Sequence, residues 1–438
     1  MKPKFNTILK LTGFPIEEAQ KIFNEALETD KTIWQNEKKW EIFKYHFNNN
    51  NYYNNFVGKE VSDWNDIPVF RPKDLKGNYF SKIPAKITTQ KMYTGSTSGS
   101  SGSALVFVRD ALSHALVWEN VRHCYNQAEI SLDDRQARMF GMSKKPLDIA
   151  KNRIKDWLSN RYRFDIFNLS DTALDEWVRH FKRGKFKYLY GYTNSLVVFA
   201  QYFINRKYTL KSIAPSVKCC IITAEFCTDR DAKILLDGFG IPLFNEYGTS
   251  ELGIMGFKTH QNQYDAEYTK EEFWNCADEL LYYEVLDDND KPVTDGEMGL
   301  LTCTSLFNKA TPFIRYQAGD LAIIKRENPR TIITQLMGRT NDLALLPSGR
   351  KIPGLSFYFV ELNVIDVLQN VKEFIFRQTN DGFSFEYVSE KDITEGDFLK
   401  IKKNIELHLK EEITLTAVKV DKIERGKSGK FKHFISEI

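Results

Sequence analysis

Between about residue 135 and residue 330, short apolar runs alternate with amphipathic segments, and no other feature limits the architecture as much. Examples of the runs are Lys187-Tyr188-Leu189-Tyr190, Val217 to Thr223, Leu280 to Leu286 and Gly299 to Ser305. Runs of that length suit buried strands, and the amphipathic stretches between them suit helices packed on a sheet. The pattern predicts α/β layers with substantial sheet content. With 438 residues the chain can form two or three domains around a sizeable core.

The flanking regions read differently. Helical periodicity runs around Ile16 to Phe43, followed by an Asn-rich stretch, Asn48 to Asn55, that predicts a loop. Trp64 to Leu75 is punctuated by Pro68 and Pro72 and predicts a turn, and Ala111 to Ile130 predicts a helix. Beyond Gly338 the tail predicts helix (Leu355 to Gln369), strand (Glu373 to Arg377), strand (Phe383 to Val388), helix (Glu395 to Glu412) and strand (Thr416 to Val420). Thr394 followed by Asp397 forms a helix-start signal, and Phe398, Ile401, Ile405, Leu409 and Ile413 keep helical spacing. Such a tail forms a small α+β unit, joined through the polar run Gly338-Arg339-Thr340-Asn341-Asp342.

Composition narrows the function classes. The net charge of +3 is too near balance to point to nucleic acid or an anionic membrane as partner. No stretch approaches ~20 apolar residues. The six cysteines include no CxxC pair, which fits a reducing compartment, and the expected location is the cytoplasm.

Four clusters carry residues suited to phosphate chemistry. In Tyr93-Thr94-Gly95-Ser96-Thr97-Ser98-Gly99-Ser100-Ser101-Gly102-Ser103, glycines let backbone amides converge on an anion and hydroxyls add donors. The run lacks the Gly-Lys-Ser/Thr of a P-loop, and it reads equally as a flexible linker. Asn245-Glu246-Tyr247-Gly248-Thr249-Ser250-Glu251 offers an aromatic face for a purine, a hydroxyl for phosphate and a carboxylate for Mg²⁺, or else an ordinary turn. Arg315-Tyr316-Gln317-Ala318-Gly319-Asp320 places at a strand end an Asp that can accept two ribose hydroxyls, or merely form a turn. Arg425-Gly426-Lys427-Ser428-Gly429-Lys430 is either a solvated basic end or a source of a mobile cation.

In this order and at these distances, the clusters resemble the adenylate-forming superfamily, which includes acyl-CoA synthetases, peptide-synthetase adenylation domains and luciferases. The length, the WNDIPVFRPKDL entry and the compact tail look closest to its phenylacetate–CoA ligase-like branch, which includes capsular polysaccharide-associated proteins. The resemblance implies a large multi-sheet N-terminal adenylation domain (residues 1–338), a hinge (339–342) and a small mobile α+β C-terminal domain (343–438). It matches Thr97, Ser98, Gly99, Ser100, Ser101 and Gly102 to the loop around the β- and γ-phosphates of ATP. Tyr247 and Gly248 match the adenine-stacking motif, Ser250 the hydroxyl near the α-phosphate, and Glu251 the Mg²⁺-linked carboxylate. Asp320 matches the ribose ligand, Arg339 the arginine on ribose or phosphate, and Lys430 the catalytic lysine. Ala224 and Glu225, after Thr223, sit where the family lines its adenine pocket, and an acyl pocket is expected near Tyr190, Tyr192 and Ser195.

The chain departs from the pattern in three places. Ser101-Gly102-Ser103-Ala104-Leu105 lacks the lysine common in the family loop, and Asn341 replaces the usual hinge Asp or Lys. Only His260 and Cys276 stand where some relatives carry zinc ligands, too few for a structural site. The implied activity joins a small carboxylic acid to AMP from ATP with Mg²⁺, then passes the acyl group to coenzyme A or an amine. A homodimer is compatible with this reading. A nucleotide-binding homologue without turnover is the rival from a different class.

Overall fold

The computed structural model describes residues 4–97, 105–141, 146–260, 273–327, 329–339, 343–354, 356–357, 371–425 and 431–438. The chain divides into two compact units, Met1–Ala318 with Ala322–Gln335, and Gly319–Leu321 with Leu336–Ile438.

The first unit begins with helices α1 (Phe5–Leu11), α2 (Ile16–Glu28), α3 (Lys31–Asn49) and α4 (Asn51–Val57). The hairpin β1 (Met92–Ser96) and β2 (Val106–Asp110) follows, then α5 (Ala111–Gln127). The α/β stretch is β3 (Gln136–Phe140), α6 (Pro146–Leu158), β4 (Arg161–Asp165), α7 (Asp171–Gly184), β5 (Tyr188–Tyr192), α8 (Thr193–Asn205), α9 (Leu210–Ile213), β6 (Cys219–Thr223), α10 (Asp229–Phe239) and β7 (Leu243–Thr249). Then come β8 (Gly253–His260), β9 (Trp274–Cys276), β10 (Leu281–Leu286), β11 (Met298–Ser305), β12 (Tyr316–Glu327) and β13 (Arg330–Arg339). Among the described residues these form an 11-stranded sheet ordered β10-β11-β12-β13-β9-β8-β7-β6-β5-β3-β4, apart from the β1–β2 hairpin. Strands β3 to β7 are parallel neighbours, and β8 turns back antiparallel on β7. The α/β expectation holds. Strands β5 and β6 are buried along their whole length, as parallel strands covered on both faces must be.

Helices α7, α8 and α10 cover one face of the parallel strands with Trp177, Phe181, Phe199, Phe203 and Phe239. The other face meets α5 through Tyr125 and Ala128, against Tyr188, Tyr190, Ile221 and Phe244. Asp110 starts α5, its Oδ1 accepting the amides of Leu112 and Ser113 at 3.1 Å each. Its Oδ2 accepts the Lys309 amide at 2.7 Å, which fixes the end of β2 against the sheet unit.

The helical periodicity of Ile16 to Phe43 is met by α2 and α3, separated where Asp30 caps α3 through the amides of Thr32 and Ile33. One expectation for the N-terminal region needs correction. The Asn48 to Asn55 stretch is not a loop: α3 runs to Asn49 and α4 starts at Asn51. Asn50 caps α4 by accepting the Tyr53 amide at 3.2 Å, and Tyr53 and Phe56 pack with Phe43 and Phe70. Burial of those rings outweighs the weak helix propensity of asparagine. Trp64 to Leu75 makes two short 3₁₀ turns.

The second unit contains the pair β14 (Leu343–Leu345) and β15 (Lys351–Pro353) and a four-stranded sheet ordered β18-β17-β16-β19. Its strands are β16 (Val371–Thr379), β17 (Gly382–Ser389), β18 (Leu415–Lys419) and β19 (Phe434–Ser436), with helix α11 (Glu395–Leu409) between β17 and β18. Thr394 accepts the Asp397 amide at 3.2 Å, as the helix-start signal requires. Ile401, Ile405 and Leu409 bury against Phe376 and Phe385. The expected helix Leu355 to Gln369 lies almost wholly outside the described residues.

Candidate active site

The hairpin β1–β2 carries the two ends of the Gly/Ser/Thr run. Thr97 closes its near end, its amide donating to the Leu105 carbonyl at 2.9 Å and its hydroxyl accepting the Leu105 amide at 3.1 Å. Ser98, Gly99, Ser100, Ser101 and Gly102 lie outside the described residues. Two anchors hold the hairpin. Tyr93 stacks on His114 of α5, rings 4.2 Å apart and 13° from parallel. Burial, then the charges of Arg109 and Lys91, push the His114 pKa down to about 3, so it is neutral at physiological pH.

The second anchor is Arg109, buried at the end of β2. Its Nη2 donates to the carbonyls of Ser250 at 2.6 Å and Glu251 at 3.0 Å. The Gly/Ser/Thr hairpin is thereby tied to the Tyr-Gly-Thr-Ser-Glu motif, 142 residues further along the chain. Charge-assisted bonds of this kind in a buried setting are strong and directional. Nothing in the local pattern marked Arg109 beyond its place as a charge closing an apolar strand.

The motif itself spans β7 and the turn into β8. Tyr247 is half-buried, Ser250 is exposed and Glu251 is buried. A bulge interrupts the β7–β8 register between Tyr247 and Gly248. A Cβ on Gly248 would stand 2.1 Å from the Gly253 carbonyl oxygen, so only glycine fits the turn there. Glu251 Oε1 accepts the Tyr316 hydroxyl at 3.1 Å, which joins β12 to the motif. Its other carboxylate oxygen has no hydrogen bond among the described residues. A single open carboxylate fits Mg²⁺, which binds few protein oxygens and completes its shell with phosphate and water.

Tyr316 opens the run that ends in Asp320, and Asp320 is buried on β12 within the second compact unit. Arg315, beside Tyr316, has a structural task. It is fully buried, donates to the carbonyls of Asn65 and Ile67 and pairs with Glu284 at 3.3 Å. Ala224 sits exposed after β6 with φ of +66°, a strained conformation for a residue with a Cβ. Glu225 accepts the Asn194 amide at 2.9 Å and so caps the start of α8.

Tyr190 and Tyr192 share one face of β5, both against Phe140, at 5.4 Å and 4.3 Å. Tyr190 donates to Glu246 at 2.9 Å. Burial raises the Glu246 pKa, and the charge of Arg138 and the Tyr190 bond oppose that rise. Ser195 is fully buried on α8 and its hydroxyl has no partner. Arg339 ends β13, while Asn341 and Lys430 lie outside the described residues. Among the described residues no three His, Cys, Asp or Glu side chains gather as a metal cluster, and no helix is long and apolar enough to cross a membrane.

No family model matches the chain. Over 326 residues it is 22% identical to Protein CapK of Staphylococcus aureus, covering 70% of this chain and 68% of CapK. Over 136 residues it is 29% identical to the phenylacetate-coenzyme A ligase of Thermus thermophilus, a stretch covering 30% of this chain and only 29% of that ligase. A crystal structure of 2-hydroxyisobutyryl-CoA ligase in the postadenylation state, in complex with 2-HIB-AMP, aligns over 94% of this chain and 90% of its own, with a TM-score of 0.70 at 15% identity. In sequence the chain is similar to the phenylacetate–CoA ligase and CapK branch of the adenylate-forming superfamily, and it shares the fold of 2-hydroxyisobutyryl-CoA ligase. The fold extends to ATP-bound MatB from Rhodopseudomonas palustris, with a TM-score of 0.54 at 15% identity over 77% of this chain and 65% of MatB. Within the first unit, Arg109 ties the β1–β2 hairpin to the Ser250–Glu251 turn, and Tyr316 ties the start of β12 to Glu251.

Proposed function

We propose that the protein is an AMP-forming ligase that activates a carboxylic acid and transfers its acyl group to coenzyme A. The observation that carries this is the convergence on Glu251: Arg109 from the loop hairpin and Tyr316 from β12 both bond to it. In the first half-reaction a carboxylate oxygen attacks the α-phosphorus of ATP. A new O–P bond forms, the bond to the β-phosphate oxygen breaks, and pyrophosphate leaves. The protein has to align the reactants and neutralise charge, since it forms no bond itself.

Thr97 and the Ser98–Gly102 segment cradle the terminal phosphates, Tyr247 stacks the adenine, and Gly248 and Ala224 let backbone approach it. Ser250 meets the α-phosphate, and Asp320 and Arg339 take the ribose. Magnesium, when bound to the open oxygen of Glu251, offsets phosphate charge. Lys430 supplies a cation to the carboxylate and phosphoryl oxygens. The acyl chain occupies the face bearing Tyr190 and Tyr192. In the second half-reaction the thiol sulfur attacks the acyl carbon, the C–O bond breaks, AMP leaves and the thiol proton passes to solvent.

Acid-dependent ATP–pyrophosphate exchange tests the first half. Lys430→Ala is expected to abolish exchange while largely sparing ATP binding, and unchanged exchange in that variant rejects its role. Thioester formation on adding coenzyme A tests the second half, and transfer to an amine alone rejects the thiol acceptor.

A further inference from the structure

On the α5-facing side of the parallel strands, Arg138 of β3 lies in register with Arg163 of β4 and Tyr190 of β5. Its guanidinium carbon is 4.2 Å from the Phe140 ring centroid and 4.9 Å from that of Tyr190. One nitrogen, Nη1, donates to Gln136 at 3.2 Å, while Nε is sealed from solvent and has no partner. The carboxylates nearby are engaged elsewhere: Glu246 feels the charge of Arg138 but does not pair with it directly. Arg163 is occupied by Asp156 at 3.0 and 3.1 Å. Glu246 takes the Tyr190 hydroxyl at 2.9 Å and those of Tyr125 and Thr223 at 3.4 Å, and forms no ion pair with Arg138. Burial and the charges of Arg161 and Arg163 all disfavour the charged guanidinium.

Arg138 is half-buried, yet a sealed and unpaired Nε still carries a desolvation cost, and a plain core position would hold an apolar residue instead. Ligands of parallel α/β sheets enter at the carboxyl ends of the strands. Arg138 lies two residues, about 7 Å, below the end of β3. It therefore meets the far end of whatever occupies that face.

Resting on the adenylate-forming reading, we infer that Arg138 determines specificity in the acyl pocket and that the activated acid carries a second anionic group, a carboxylate remote from the reacting one. The Arg138 fork takes that group, and Phe140 and Tyr190 flank the guanidinium.

The test is ATP–pyrophosphate exchange with length-matched pairs, adipate against hexanoate and 4-carboxyphenylacetate against phenylacetate. The wild-type protein is expected to favour one diacid over its partner by about 100-fold or more in kcat/KM, because a buried polar site rejects an analogue that leaves it unpaired. Arg138→Met should remove most of that preference by raising KM for the diacid, with KM for ATP and the melting temperature held. Arg138→Lys, which keeps the charge and loses the fork, should fall between. Equal use of both members of each pair, or a diacid preference that survives Arg138→Met, overturns the inference while leaving adenylation intact. Exchange with none of the four acids counts against adenylation itself and takes the inference with it.

Discussion

Two faces of the same five parallel strands carry different chemistry. On the side of α7, α8 and α10, Phe164, Phe181, Phe199, Phe203 and Phe239 fill the space with rings. Phe199 touches Phe203 at 4.8 Å and Trp177 at 5.3 Å between centroids. On the side of α5, the lower part is also apolar, with Cys219, Ile221 and Phe244, but the carboxyl end holds Arg138, Tyr190, Thr223 and Glu246. Period-two alternation along each strand makes such a division possible. Rings alone build a core. Charge kept at the end of the strands where ligands enter, with a nitrogen left unsatisfied, sets this face apart from the core and is the basis of the proposed acyl pocket.

The largest expected effect lies on the apolar face. Phe199→Ala should cost about 4 kcal/mol of stability in urea unfolding. Exchange activity per folded molecule should be retained, and a loss of activity without a loss of stability would break the division between the faces.

A buried carboxylate elsewhere sharpens the contrast. Asp278 accepts the Thr331 amide at 2.7 Å and Gln35 at 2.9 Å, partners that hold structure together, whereas Glu246 is bonded only by hydroxyls on the polar face. Burial pushes the Asp278 pKa up from 3.8 to about 6. The folded state therefore binds that proton more tightly, so the linked stability is present below about pH 4 and is lost as pH rises through about 6. Between pH 4 and 7, Asp278→Asn should gain on the wild type by about 3 kcal/mol at most. A difference that stays flat with pH would contradict this.

Much of the fold was legible because it rests on patterns that do not depend on distant partners. The apolar runs at Tyr188 and Cys219 are strands, and Thr394 starts a helix as its spacing requires. The Asn48 to Asn55 stretch was not legible, since Tyr53 and Phe56 become helical by packing on Phe43 and Phe70, which local sequence does not reveal. Among the candidate site residues, Tyr247, Glu251 and Asp320 stood out through their motifs. Arg109 and Arg138 did not, because an arginine within a strand looks the same whether it caps distant carbonyls, awaits a ligand or points to solvent. Glu246 was visible in its motif, yet its link to Tyr190 depends on the alignment of β5 with β7 across β6.

The most direct test of the account follows oxygen. The acid that best supports exchange would be labelled with ¹⁸O in its carboxylate, turned over with ATP and acceptor, and the nucleotide weighed by mass spectrometry. Attack on the α-phosphorus leaves one labelled oxygen in AMP, and that is the expected result. Label in inorganic phosphate with ADP as the nucleotide product, or AMP free of label, would contradict it.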